Sequence, residues 1–572
     1  MTTTESRPQT NVDEKQARQV AEAAREADWH KPSFGKELFL GRLRMDLIEP
    51  WPTVDPEKSA NATDFLAALR DYAHTVDSAE IERDARIPDE VFQKLAELGA
   101  FGMKIDKKYG GLGLSNLHYC KALTMIGSVS GSLGALLSAH QSIGVPQPLK
   151  LFGSDEQKQK YLPRLAAGEV SAFLLTEADV GSDPARLAVT ATPVEGGYRL
   201  NGVKLWATNG TVATLLVVMA QVPKSDDHRG GITAFVVEGD SEGITIERRN
   251  AFMGLRGLEN SVTRFDNVFV PADNVIGREG QGLKIALTTL NTGRLSLPAM
   301  CVAAGKWCLG VARTWASERV QWGLPVGRHE AVAKKIAFIA ATTYGLESML
   351  DLSCLLADDD RNDIRIEAAL VKLFGSEMAW QMADELIQIR GGRGYETAES
   401  LAARGEKAIG VEQLLRDLRI SRIFEGSTEI MHLLIAREAV DQHLSVAGDI
   451  IDPDASLQDK AKAGGRAAGF YGRWLPTLAV GRGQVKGGYG QYGALAPHVR
   501  FVERASRRLA RETFYGMARW RGKMERKQAF LGRIVDIGAE LFAMSASCVR
   551  ATAGGRPEGR ELADLFCRQS RL

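Results

Sequence analysis

YRLNGVKLWATNGTVATLLVVMAQV, residues 198–222, is the stretch on which the fold reading turns. Its first part alternates apolar and polar residues, and Asn201-Gly202 predicts a turn between two alternating segments. Its second part, LLVVMAQV, is a β-rich apolar run. GITAFVVEG (231–239), ITIERR (244–249) and SVTRFDNVFV (261–270) continue in the same way, each bounded by Gly, Pro or Asn. A small central β domain is expected over 166–280.

On both sides the period becomes helical. FLAALRDYA (65–73) and DEVFQKLAELGAFGM (89–103), the latter behind Pro88, place apolar residues on one helical face and predict an N-terminal helical domain over 57–165. Before it, 1–56 reads as a charged arm containing SFGKELFLGRL (33–43), with Pro50 and Pro52 marking a linker. After GREGQGL (277–283), helical periodicity over 281–319, 328–357 and 363–390, with a last helix opening near Ser427, predicts a C-terminal four-helix-type bundle over 281–445. Beyond it, 446–572 reads as a further helical extension. Within that extension IIDPDASLQDKAKAGG (450–465) looks like a linker and GRGQVKGGYGQYGALAP (481–497) like an irregular Gly-rich loop. Helices, then strands, then helices give an α+β class, mainly α, and not an alternating βαβ sheet.

At 572 residues, 44% apolar and 25% charged, the chain is long enough for several packed domains. Net charge is +1, yet residues 461–572 hold 21 Lys/Arg against 8 Asp/Glu, so the extension is basic and the rest acidic. Cys120, Cys301, Cys308, Cys354, Cys548 and Cys567 are scattered without a CxxC pair, which suits a reducing compartment. No apolar run approaches the ~18 residues of a membrane span. The opening MTTTESRPQT is polar, so a cytoplasmic location is expected.

No GxGxxG follows a strand and opens a helix, which leaves a Rossmann nicotinamide site without support. The histidines lack paired ligand spacing, so no metal site is expected, and His140 reads as a core histidine. What remains is an ordered set: LTEADVGSD (175–183), LWATNG (205–210), ERVQWG (318–323), QIRGGRGY (388–395) and LRDLRISRIFEGSTEI (415–430). Thr176 and Ser182 supply hydroxyls and Trp206 with Thr208 an aromatic face plus a donor, a kit for a flat polar-edged ring. Arg319 can fork onto a pyrophosphate, and GGRG exposes backbone N–H groups without β-carbons. Glu425 stands before Gly426, which permits a turn, and Ser427, which can cap the following helix. Alone, each of these reads more readily as a turn, a core aromatic or a solvated charge; their joint order carries the chemistry.

Together the segments resemble the acyl-CoA dehydrogenase family over about 33–445. SFGKELFLGRL, AHQSIG (139–144) and the long extension look most like its very-long-chain branch. The resemblance implies that Phe173, Leu175, Thr176, Gly181, Ser182, Trp206 and Thr208 contact the flavin of FAD. It implies that Arg319, Trp322, Gln388, Gly391 and Gly392 hold the adenylate half across the interface of a homodimer. It makes Glu425 the catalytic base for the α-proton of a fatty acyl-CoA, FAD accepting the β-hydrogen to leave trans-2-enoyl-CoA. Ser182, Asn291, Arg294 and Gly426 are implied to contact substrate, and an electron-transferring flavoprotein to take the electrons. Some branches carry the base at the position matching Gly293, and a glycine cannot act there.

Three departures stand out. Glu330 replaces a Gln common near the cofactor, and AESLAARGEK (398–407) is an insertion. Of two glycines that deepen the acyl pocket in the very-long-chain branch, Gly144 matches but Gln147 takes the place of the second, which predicts a shorter tunnel and medium-to-long chains. In 499–520, Val502, Ala505, Leu509, Met517 and Trp520 share a face while Arg504, Arg508 and Arg511 point elsewhere. Such a helix either packs its apolar side internally or lies on an anionic membrane, as the extension of the relatives does, on the inner face here. Competing readings are a non-catalytic scaffold of the same fold and a nucleic-acid-associated relative; no nucleic-acid partner is expected.

Overall fold

The computed structural model describes residues 29–452 and 455–572, together with Val20, Glu22 and Arg25. The remainder of 1–28 in the N-terminal charged arm, and Pro453 and Asp454 of the expected linker, lie outside the described residues. Two compact units are present. The first contains Ala60–Leu114 and Val129–Gly293, the second Trp29–Ser59, Ser115–Ser128 and Arg294–Leu572. The chain is α+β and mainly helical, with helices before and after an eight-stranded sheet.

The sheet of the first unit comprises β1 (Ser171–Leu174), β2 (Thr190–Val194), β3 (Gly197–Thr208), β4 (Leu215–Val222), β5 (Gly231–Glu238), β6 (Ile244–Arg249), β7 (Asn260–Pro271) and β8 (Val275–Ile276). Their order is β6-β7-β3-β2-β4-β5-β8, with β1 parallel to β4. LLVVMAQV lacks alternation because β4 is central and almost every residue of it is buried.

Asn201-Gly202 does not turn the chain. The hairpin closes at Glu195-Gly196, between the paired Val194 and Gly197, and β3 then runs unbroken. Leu200 pairs with Val268 while Gly202 pairs with Phe265, so Asn201-Gly202 faces a bulge at Asp266-Asn267. Asn201 Oδ1 accepts the Asn267 N–H at 2.8 Å. An Asn-Gly pair suits the loose backbone opposite a bulge as well as it suits a hairpin, and here a long partner strand keeps β3 straight.

In the second unit, Ser296–Glu318, Glu330–Asp359 and Arg365–Arg390 pack on one another, joined by Asn116–Gly127 and Thr428–Ala439. The helix expected over 281–319 is interrupted at Arg294-Leu295, giving Gly282–Gly293 and Ser296–Glu318. By length and apolarity Gly282–Glu318 could pass for a membrane span, against the sequence expectation; 67% of its most apolar window is buried inside the protein, as in a core helix.

Much of the expected linker at 450–465 is helix. Ser456 accepts from the Asp459 N–H at 3.1 Å and opens Leu457–Thr477. Burial of Ala463, Ala467 and Trp474 along one stripe outweighs the ~1 kcal/mol that each of Gly464 and Gly465 costs. The Gly-rich stretch holds two short 3-10 turns, Arg482–Gln484 and Gly490–Leu495. Arginines of the basic helix Ala496–Trp520 fix this stretch: Arg504 donates to the Gly483 carbonyl at 2.7 Å and Arg500 to that of Gly488 at 3.1 Å.

The apolar face of that helix is used internally. Val502 and Leu509 are buried, Ala505, Met517 and Trp520 half-buried. SFGKELFLGRL packs against it among other elements, and its helix Phe34–Phe39 is anchored at both ends. Ser33 Oγ and the Gly35 N–H donate to buried Glu367 at 3.0 and 2.9 Å. At the other end the Leu38 carbonyl accepts from Ser506 Oγ at 3.0 Å and the Leu40 carbonyl from Trp474 Nε1 at 2.9 Å. A Cβ on Gly538 would lie 2.3 Å from the Phe39 ring, so that glycine is a seat for it. All six cysteines are free and buried.

Candidate active site

The residues singled out by sequence fall into three groups, one in the first unit and two in the second. In the first unit, Phe173, Leu175 and Thr176 continue the end of β1 beside the end of β3, where the Leu205 N–H donates to the Thr176 carbonyl at 2.8 Å. A second bulge shapes this edge. Lys204 pairs with Thr263 and Ala207 with Ser261, leaving Leu205 and Trp206 opposite a single residue. Trp206 adopts φ +52 and keeps 58% of its surface exposed. A left-handed tryptophan costs ~1–2 kcal/mol and its uncovered ring forfeits burial, so the arrangement gains its sense from a flat partner. Thr208 is half-buried on the same strand, Gly181 and Ser182 are exposed, and nothing lies within 4 Å of a Cβ built on Gly181.

Two buried residues that sequence reading passed over hold this edge. Lys204, with no exposed surface, donates to the Leu175 carbonyl at 3.0 Å and to Glu177 at 2.6 Å. Glu177 in turn accepts from the Ala188 and Val189 N–H groups at 2.7 and 3.1 Å. Burial lowers the Lys204 ammonium to about 8 despite Glu177. The only trace in the sequence is a lysine at a register position that the bulge turns inward.

In the second unit, Arg319 and Gln388 are exposed, and Trp322 is 93% exposed at the tip of the small hairpin Val320–Gln321/Leu324–Pro325. Gly391 (φ +62) and Gly392 present bare backbone, with nothing within 4 Å of an added Cβ. An open concavity of about 770 Å³ lies nearby between Arg313, Pro325, Arg328 and Ile336. Glu330 is exposed and paired with Lys334 at 2.8 Å. The insertion forms the helix Ala398–Ala403, and its Glu406 holds Arg393 of the GGRGY segment, so it braces that segment. An aromatic face with hydroxyls in one unit, and a guanidinium with open glycine backbone in the other, match the ring and pyrophosphate portions of FAD respectively.

The third group surrounds Glu425. Arg422 binds Glu377 at 2.8 Å, and Thr428 Oγ1 donates to the same carboxylate. The chain between is thereby tied to Arg365–Arg390. Within it Glu425 has φ +53 and Gly426 φ +95. A Cβ on Gly426 would meet Met431 Sδ at 2.7 Å, so glycine is required there by conformation and by space. Ser427 caps Thr428–Ala439 through the Ile430 N–H at 3.4 Å.

Glu425 as a whole is half-buried, with one carboxylate oxygen held out of water. Glu425 Oε2 is buried and has no hydrogen-bond partner in the protein. Burial pushes its carboxyl up to about 7, opposed by Lys372 and then Arg294. Both cations are buried and shifted down by burial, Lys372 to about 8 and Arg294 to about 10. Lys372 also donates to the Gly426 carbonyl. This lysine was missed, although one charge in the apolar run AALVKLFG (368–375) was its signal. Asn291 is half-buried on Gly282–Gly293, in the first unit.

Three consecutive family models match the chain: the acyl-CoA dehydrogenase N-terminal domain over 59–169, its middle domain over 172–268 and its C-terminal domain over 280–440. The chain belongs to the acyl-CoA dehydrogenase family. A probable acyl-CoA dehydrogenase FadE10 of Mycobacterium tuberculosis is 64% identical over 99% of this chain and 88% of its own length. The human mitochondrial very long-chain specific acyl-CoA dehydrogenase is 34% identical over 94% and 82%. Among solved structures, an acyl-CoA dehydrogenase of Bacillus anthracis complexed with FAD has a TM-score of 0.74 at 25% identity, covering 94% of this chain and 90% of its own. Butyryl-CoA dehydrogenase of Megasphaera elsdenii has a TM-score of 0.61 at 29% identity, covering 67% and 97%. As a member of this family the protein is a flavoenzyme that uses FAD and dehydrogenates fatty acyl-CoA.

Proposed function

We propose that Glu425 is the base that removes the α-proton of a medium-to-long-chain fatty acyl-CoA, the product being the trans-2-enoyl-CoA. The carrying observation is the Glu425 carboxylate, sequestered, unpartnered at Oε2 and poised to change charge near neutral pH. A base so tuned is half in its working form at pH 7 and strong enough to accept a proton, worth roughly 10²–10⁴-fold. Bound FAD supplies the oxidant for the β-carbon. The Glu425 backbone N–H is assigned to the thioester oxygen, where one fixed donor to developing enolate charge contributes ~3–4 kcal/mol. Arg294, beside Glu425, orients the carboxylate and favours its ionised form.

Buried Gln147 favours chains shorter than those of very-long-chain relatives. Exposed Trp322 and the neighbouring open concavity favour a homodimer in which the partner covers them, with Arg319, Gln388, Gly391 and Gly392 holding the FAD adenylate half. The electron acceptor is proposed to be an electron-transferring flavoprotein, and the compartment the cytoplasm. Contact with a membrane's inner face would fall to the exposed arginines of the extension, since the apolar side of its basic helix is engaged.

Anaerobic titration of the holoenzyme with straight-chain acyl-CoAs of eight to sixteen carbons, with mass analysis of the thioester, tests this reading. Bleaching of the flavin with loss of two hydrogens from the acyl chain is expected. An unchanged spectrum with every chain length would overturn it.

A further inference from the structure

Lys372 lies against the turn that carries Glu425. It projects from Arg365–Arg390, is buried, and donates its ammonium hydrogen to the carbonyl of Gly426, the residue after Glu425. That carbonyl belongs to a turn whose two central residues both have positive φ. The left-handed conformation of Glu425 is unfavourable for a residue with a β-carbon, and a turn of this kind persists only where its surroundings over-determine it. A charged donor on the Gly426 carbonyl supplies such a constraint.

The same ammonium bears on the carboxylate. Glu425 is faced by Lys372 and Arg294. Lys372 is faced by Glu425, the Cys301 thiol, Arg294 and Glu377. Arg294 is faced by Glu425 and Glu438, and Glu438 lies 3.7 Å from Arg365. Glu377 is already engaged by Arg422 and Thr428, and Glu438 also acts on Arg294. Lys372 is thus committed to the turn by a hydrogen bond as well as by charge. An apolar acyl chain entering the site removes the remaining water and raises the cost of a naked carboxylate.

We propose that Lys372 is a positioning residue for α-proton abstraction: it clamps the turn that aims Glu425 and, together with Arg294, keeps that carboxylate ionised once acyl-CoA has displaced water. This rests on Glu425 being the base, so wild-type enzyme must first be shown to bleach with acyl-CoA. If it does not, that reading fails before Lys372 is in question.

The test compares the pH dependence of anaerobic flavin reduction in wild type, Lys372→Gln and Lys372→Arg, each checked for full flavin content. Lys372→Gln is expected to move the midpoint of the rate profile upward by at least one pH unit, lowering the rate at pH 7 about fivefold or more, while Lys372→Arg restores the wild-type midpoint. A Lys372→Gln rate that falls with an unmoved midpoint overturns the proposal, because loss of packing alone scales the rate without changing its pH dependence. Should Lys372→Gln not fold, the infrared carboxyl band present in wild type and absent in Glu425→Gln decides. The proposal expects that band to titrate near neutral pH, and a midpoint at pH ~8–9, as for a buried glutamate without compensating charge, overturns it.

Discussion

At the scale of single residues, the protein stores free energy against its own stability at Glu425. Its carboxyl is raised from 4.5 to about 7, so the folded chain holds a proton that the unfolded chain releases. The sign follows: the site destabilises the fold increasingly as pH rises from 4.5 through 7, and the cost is absent below 4.5. Glu425→Gln is therefore expected to stabilise the protein at pH 8 by about 1–3 kcal/mol while reducing activity by ~10²-fold or more. Urea unfolding at pH 8 and pH 4 checks this; a gain of equal size at both would place its origin elsewhere. A second residue-scale prediction concerns Gln147, which is buried within three residues of Gly144. A Cβ on Gly144 would lie 2.3 Å from Ser171 Oγ and 2.5 Å from the His140 carbonyl, so close packing explains that glycine without reference to a tunnel. If Gln147 shortens the acyl site, Gln147→Gly raises the ratio of sixteen-carbon to eight-carbon turnover several-fold; an unchanged ratio removes Gln147 from chain-length selection.

At the scale of elements, one short segment links several helices of the second unit. SFGKELFLGRL is short, yet it binds Glu367 at one end and Ser506 and Trp474 at the other, with Phe39 seated on Gly538. Truncating a buried aromatic ring costs ~3–5 kcal/mol, so Phe39→Ala should destabilise by about that amount and release the extension to proteolysis first. Equal digestion of wild type and variant would show that the extension is held without it. Here sequence and structure part in an instructive way. Segments whose local pattern dictates their state were legible: the β-rich runs, the long helices, and the Ser427 cap. Those decided by distant partners were not. Asn201-Gly202 is a turn by local rule and a bulge neighbour because β7 lies alongside. Leu457–Thr477 is a linker by its glycines and a helix because Trp474 has Leu40 to bind. The site divides likewise. Glu425, Trp206 and the glycines are visible in motifs, whereas Lys204 and Lys372 act from inside strand and helix, where only a charge in an apolar run betrays them.

At the scale of the whole molecule, titrating groups of opposite sign, shifted by burial, act against one another. His140 in the first unit and His443 in the second are pushed down to about 4 by burial. Each favours the fold above 6.5 and withdraws that support as pH falls toward 4. Glu367 and Glu425, both raised to about 7, work in the reverse sense over nearly the same range. The two effects offset, so wild-type stability should change little between pH 7 and 5. His443→Phe, which keeps a ring among Phe470, Tyr471, Trp474 and Phe514, unmasks the balance by gaining about 2 kcal/mol relative to wild type on going from pH 6.5 to 5. Parallel stability curves would contradict the offset.

All of this converges on the carboxylate held at a left-handed turn. Its most direct test is rapid mixing of acyl-CoA with wild type and with Glu425→Gln, both fully loaded with FAD, using substrate with and without deuterium on the α-carbon. Fast reduction that slows with α-deuterium in wild type, and reduction at least a hundredfold slower in the variant, is the predicted result. A variant that reduces its flavin as fast as wild type would contradict the assignment of Glu425.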